Sequence, residues 1–358
     1  MRQIRLAIVT SKVSEKVREK LDSMIGAGKV KYFEPFSFKE MQAMAASGAT
    51  REQIMQATRE YRSAIRDFVQ KNNPDVAILG HDINDTILAG NGMKWIHCTH
   101  AGIEKSAIRD VFERGIIVTS SAGRNAASLA EHAMMFILSL VYDMNLIRDT
   151  QKARRFDLGP KYSMRTGLSG KTIGIIGCGH NGTELAKRLK GFEVRVLGYD
   201  RNVREDENFE RILEANPRNL KYIASESDFL VLTVSLNNST FHMVNAELLS
   251  CMKASAYLIN IARGSLVDEK ALVEALQNHV IAGAGLDTFE VEPLPEDSPL
   301  WDMEQVICTP HTTPAAQGME DKQWEYVFAN IKAFQENGEF VNRLSADDMY
   351  TKNKESRI

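Results

Sequence analysis

The chain has 358 residues, 44% hydrophobic and 25% charged, enough for two globular domains at roughly 100–200 residues each. With 44 basic against 47 acidic side chains the net charge is -3, and no basic stripe interleaves with aromatics, so a nucleic-acid partner is not expected. The most apolar stretch, 134–141, falls far short of the ~20 residues that cross a bilayer, and the opening residues carry no signal-peptide pattern.

Cys98, Cys178, Cys251 and Cys308 are scattered without a C-x-x-C pair. The expectation is a cytoplasmic protein with free thiols, no metal site and no membrane partner. In chain order, short apolar strands are expected at 6–10, 29–33, 76–80, 94–98 and 116–119, with helices at 14–24 and 103–114. That alternation argues for a parallel sheet covered by helices. Residues 38–71 read as a polar helical stretch, an inserted hairpin with a solvated outer face. Near Asn125 the pattern changes. Ser128-Leu129-Ala130-Glu131 has capping-box spacing ahead of an apolar helix at 133–141, whose broad apolar face suits a core or a subunit interface.

A second α/β series starts at Lys171, with strands at 172–176, 194–199, 229–234, 257–261, 281–285 and 306–309. Helices fall at 181–190, 246–252 and 269–277, and a last one at about 314–336. The fold class is therefore α/β with two doubly wound parallel-sheet domains.

Gly177-Cys178-Gly179-His180-Asn181-Gly182 is a G-x-G-x-x-G run that follows an apolar strand and opens a helix. Gly177 permits the tight turn, Gly179 lets the backbone approach a pyrophosphate, and Gly182 lets helix and strand pack closely. Free N–H groups at the helix start, including those near His180 and Asn181, then meet the phosphate charge. Asp200, at the end of the next strand, is placed to accept from the adenosine ribose diol and to repel a 2′-phosphate, which favours NAD. Arg201 and Arg204 are the side chains able to hold that phosphate, and they keep NADP open.

Three distal segments carry further chemistry: Asn260-Ile261-Ala262-Arg263-Gly264, Asp287-Thr288-Phe289-Glu290-Val291-Glu292-Pro293 and Thr309-Pro310-His311. With the glycine motif, Glu113-Arg114-Gly115-Ile116-Ile117-Val118-Thr119 and Ala130-Glu131-His132, the chain from about Lys94 onward resembles the D-isomer-specific 2-hydroxyacid dehydrogenases, the family of phosphoglycerate, glyoxylate/hydroxypyruvate and D-lactate dehydrogenases.

The resemblance implies a Rossmann nucleotide domain, 127–311, inserted into a flavodoxin-like substrate domain of 1–126 plus 312–358. It implies an NAD-dependent oxidoreductase that interconverts a small 2-oxo and 2-hydroxy acid, and a homodimer built through about 127–150. Arg263 would hold the substrate carboxylate and 2-oxo group, a task that suits a planar, permanently charged fork. His311 would be the acid/base, its pKa lying near working pH, and Glu292 would orient it and favour the imidazolium. Glu292 is preferred to Glu290 because the family's acid immediately precedes the proline. Asp287 would accept from the nicotinamide carboxamide, Ala262 would line the cofactor, and Ala101, Gly102 and Asn125 would bind substrate.

Some residues depart from the family pattern. Ile103-Glu104 replaces Val-Asp, Ser235 replaces a proline, Thr312-Thr313-Pro314 follows the histidine in place of small apolar and glycine residues, and His81-Asp82 stands where a basic or hydroxyl pair is usual, changes that bear on the substrate side chain and not on the hydride chemistry. The alternatives are a phosphite or other dehydrogenase on the same scaffold, and an NAD(H)-sensing corepressor-like binding protein. Glu292 argues against a formate dehydrogenase, where glutamine stands.

Overall fold

A computed structural model describes residues 2–33, 41, 44–159, 162, 165–313 and 316–352. The chain divides into two compact units, Met1–Arg124 with Gly318–Ile358, and Asn125–Gln317.

The first unit is a five-stranded parallel sheet: β1 (Ala7–Val9), β2 (Val30–Tyr32), β3 (Val76–Leu79), β4 (Trp95–Cys98) and β5 (Ile117–Ser120), in the order β2-β1-β3-β4-β5. β1, β3 and β4 are buried at every position, which is why they read as unbroken apolar runs. Helix Arg51–Asn72 runs for 22 residues from a Thr50/Gln53 capping box, and residues 44–46, ahead of the turn at 47–48, are also helical. The earlier part of that stretch, 38–40 and 42–43, lies outside the described residues. The helix expected over 103–114 forms only at Arg109–Glu113, because 103–108 fold as turns.

The second unit holds seven parallel strands: β6 (Thr172–Ile176), β7 (Arg195–Asp200), β8 (Arg211–Glu214), β9 (Phe229–Leu232), β10 (Tyr257–Asn260), β11 (Gly283–Leu286) and β12 (Val306–Cys308). Their order is β12-β11-β10-β9-β6-β7-β8. The chain departs in opposite directions from β6, so β6 and β9 frame the point where parallel sheets bind ligands at their carboxyl ends.

Helix Ala126–Val141 begins at Asn125, without a side-chain cap. Ser128 lies buried inside its first turn, so the expected capping box is not the helix start. The helix lies against β11 because Gly285 has no Cβ, and a Cβ there would meet the ring of Phe136 at 2.6 Å. Phe136 is fully buried in the core of this unit, a position where truncation to alanine costs about 3–5 kcal/mol. No helix among the described residues is long and apolar enough to cross a membrane.

Candidate active site

The glycine turn after β6 is built by close approach. Gly177 has φ +97°, and a Cβ on it would lie 2.6 Å from Val234 N. A Cβ on Gly182 would collide with Gly177 O, so the first turn of helix His180–Leu189 rests directly on the turn. Gly179 opens that helix without a side-chain cap and faces open space, which leaves helix N–H groups for an anion.

Asp200 reaches back from the end of β7. Its Oδ2 accepts from Cys178 N at 2.7 Å and its Oδ1 from Asn202 N at 2.8 Å. Arg204 donates to Cys178 O and to Thr183 Oγ1 and lies 3.6 Å from Asp206. Gly177, Gly179, Asp200, Arg201, Arg204 and Val234 line one pocket of about 750 Å³, which extends past Pro217 and Leu220. His180 is exposed beside it, and Asn181 Oδ1 is buried with no hydrogen-bond partner among the described residues.

The chemistry-bearing side chains gather at the carboxyl ends of β10, β11 and β12. After β10, Asn260, 1% exposed, braces a tight turn: its Oδ1 accepts from Ala262 N at 3.1 Å and its Nδ2 donates to Arg263 O at 2.9 Å. Arg263 Nη1 donates to Ala262 O at 2.7 Å. A Cβ on Gly264 would collide with the Phe289 backbone, so the loop after β11 presses on the arginine turn.

Glu292 folds back within that loop. Its Oε1 accepts from Phe289 N at 3.0 Å, and its Oε2 accepts from His311 Nδ1 at 2.8 Å. The Glu292 hydrogen bond raises the His311 pKa above the ordinary histidine value, outweighing burial and the Arg263 charge, which lower it. Burial pushes the Glu292 carboxyl up, but bonds from His311 and Phe289 N hold it below the usual range. His311 sits at φ +50°, a left-handed conformation uncommon for a side-chain-bearing residue. With Nδ1 committed to Glu292, Nε2 is the ring atom left to face a substrate.

Asp287 is 1% exposed. Its carboxylate accepts from Thr309 Oγ1 at 2.6 Å, Thr312 N at 3.0 Å and Thr313 Oγ1 at 2.9 Å. Asn125 lies at the start of helix Ala126–Val141, and its Oδ1 accepts from Ala316 N at 2.8 Å. Ala101 and Gly102 belong to the first unit. They follow β4 in a turn where Ala101 is exposed and Gly102 partly so. Near them Asp82 accepts from Ser106 Oγ at 2.8 Å and pairs with His100 Nε2 at 3.2 Å, and His81 Nε2 lies 3.2 Å from Thr10 Oγ1.

Sequence reasoning gave no role to Asn260, Thr313, His132 or His242. Of these, Thr313 had left a signal: a hydroxyl where the family pattern has a small residue.

The family model described as "D-isomer specific 2-hydroxyacid dehydrogenase, NAD binding domain" matches residues 134–313. A glyoxylate reductase of Pyrococcus horikoshii is 40% identical over 238 residues, 65% of this chain and 70% of that protein. Among solved structures, a D-isomer specific 2-hydroxyacid dehydrogenase from Xanthobacter autotrophicus Py2, in complex with NADPH and MES, has a TM-score of 0.73 at 22% identity, covering 96% of this chain and 99% of that one. An NADPH-dependent glyoxylate/hydroxypyruvate reductase from Sinorhizobium meliloti, in complex with NADP and malonate, has a TM-score of 0.66 at 27% identity, covering 98% and 99%.

Proposed function

The chain belongs to the D-isomer specific 2-hydroxyacid dehydrogenase family, and from that premise we propose that it uses NAD(H) to reduce a small 2-oxo acid to the D-2-hydroxy acid. The carrying observation is the 2.8 Å bond from His311 Nδ1 to Glu292, with the Arg263 charge bearing on both groups. Relatives named for glyoxylate and hydroxypyruvate reduction favour those substrates.

The glycine turn fits a dinucleotide: Gly179 leaves room above the helix start, and the helix opens without a side-chain cap, so its first N–H groups are left for the diphosphate. Gly177, Gly179 and Gly182 would cradle the diphosphate, with His180 and Asn181 at the helix start. Asp200 and Arg201 would face the adenosine ribose. Ala262 and Asp287 would stand at the nicotinamide end. When bound, the nicotinamide supplies the hydride.

Arg263 would hold the substrate carboxylate and 2-oxo oxygen with its planar, permanently charged fork. His311 Nε2 delivers a proton to the carbonyl oxygen, and Glu292 stabilises the imidazolium that precedes the transfer. Asp200 supports NAD over NADP because its carboxylate opposes a 2′-phosphate. Arg204, tied to Cys178 O and Thr183, is engaged elsewhere. Exposed Met135, Tyr142 and Met144 support a homodimer interface along 127–150.

The test is a steady-state panel of glyoxylate, hydroxypyruvate, pyruvate, phenylpyruvate and 2-oxoisocaproate with NADH and NADPH. Turnover of at least one acid, faster with NADH, is expected. Activity on none contradicts the reading, and a preference for NADPH contradicts the role given to Asp200.

A further inference from the structure

The turn that presents His311 is held by a device separate from the Glu292 pair. Asp287 emerges at the end of β11 with its carboxylate out of solvent, and a buried charge is tolerated only when hydrogen bonds replace its water. Among the described residues, the donors to the side chain all come from the segment around His311: the hydroxyls of Thr309 and Thr313 and the amide of Thr312. The three residues flank His311 on both sides, and His311 N closes the turn by donating to Thr309 O at 3.0 Å.

The cage continues one step inward. His132, buried on helix Ala126–Val141, has Nε2 at 3.0 Å from Thr309 Oγ1 and 3.6 Å from Asp287. Because Thr309 Oγ1 gives its proton to Asp287, its lone pair is what His132 Nε2–H meets. Burial lowers the pKa of His132, consistent with a neutral ring whose single proton serves this bond.

We propose that Thr313 is a positioning residue for His311: together with Thr309 and the Thr312 amide, it clamps the buried Asp287 carboxylate and so fixes the left-handed turn that aims the imidazole at Glu292. This rests on the reading of His311 as the acid/base. It also explains why a hydroxyl residue stands two positions after the histidine. Without the Thr313 bond, Oδ2 of Asp287 loses the one side-chain donor it has among the described residues, and the turn is free to relax from φ +50°. The charges facing the imidazole are Glu292, Arg263 and Asp287, so a ring that swings away from Glu292 loses its main source of imidazolium stabilisation.

The experiment compares wild type, Thr313→Val and Thr313→Ser in the full-length protein. Three quantities are read: kcat against pH for 2-oxo acid reduction, NADH affinity by fluorescence titration, and titration of the His311 ring protons by NMR, assigned with His311→Asn. A near-isosteric Val should lower kcat about tenfold, part of the roughly 10²-fold that a misplacement of about 1 Å costs. It should move the alkaline limb of kcat to lower pH and leave NADH affinity within about twofold, and Ser should restore both kcat and the position of the limb.

Wild-type kcat and an unmoved limb in Val overturn the proposal. So does a loss confined to NADH affinity, which would make Thr313 a ligand contact. If the protein turns over none of the acids, the ring titration without substrate still decides: a lower His311 pKa in Val upholds the clamp, and an unchanged one refutes it.

Discussion

Two glutamates of the loop between β11 and β12 each hold a histidine. Glu292 Oε2 is 2.8 Å from His311 Nδ1, and Glu290 Oε1 is 2.6 Å from His242 Nε2. Both histidines have left-handed backbones, at φ +50° and +51°. Distance and conformation therefore do not separate a catalytic pair from a structural one. Surroundings do.

Glu290 is drawn into the protein. Its backbone N donates to Glu269 Oε2 at 3.0 Å, Glu269 N returns a long bond to Glu290 Oε2, and the His242 ring stacks on Phe241 at 3.8 Å. His242 N also donates to Ser265 O. That pair ties the segment before helix Ala246–Cys251 to the start of helix Glu269–Gln277. The Glu292 pair ends in an open imidazole edge, with Arg263 close enough for its charge to act on both partners.

The comparison breaks first if the two histidines are equivalent. His311→Asn should lower kcat by roughly 10²–10⁴-fold, the span for losing a general acid. His242→Asn should leave kcat within about threefold and cost about 1 kcal/mol in denaturant unfolding, the size of one partly exposed hydrogen bond. Equal kinetic losses would abolish the distinction drawn here. A smaller effect sharpens it: Arg263→Lys keeps the charge but loses the fork, and should lower kcat/KM by about 10²-fold, as for one donor at a developing oxyanion. A loss confined to protein stability would place Arg263 with the structural set.

Much of this was legible in the sequence. The strand, glycine turn and helix from Thr172 to Leu189 are local features, and Asp200 follows from strand spacing. Arg263, Glu292 and His311 were singled out by ordered motifs that resemble a family, and the structure brings Glu292 and His311 to 2.8 Å of each other. What stayed hidden depends on tertiary partners. β8 is a four-residue edge strand with only Ile212 and Leu213 buried, too short and too polar at its ends to stand out. The start of helix Ala126–Val141 went to a plausible capping box because Ser128 has the right spacing, although burial inside the helix claims it. The Thr313–Asp287 bond joins residues 26 apart, so the departure from a small residue looked like variation on the substrate side. Likewise nothing local marks His242 as the partner of Glu290.

The central claim is that Glu292 keeps the His311 imidazole protonated for delivery to a carbonyl oxygen. The most direct measurement is the pH dependence of kcat/KM for 2-oxo acid reduction in wild type and Glu292→Gln. Because the Glu292 bond raises the His311 pKa, the proton donor is present below that pKa and lost above it. The wild-type rate should be flat on the acid side and fall by about a decade per pH unit once pH exceeds the raised value. In Glu292→Gln the same limb should appear at lower pH. A limb that stays put in the glutamine variant, or a reduction rate that climbs with pH, would contradict the account.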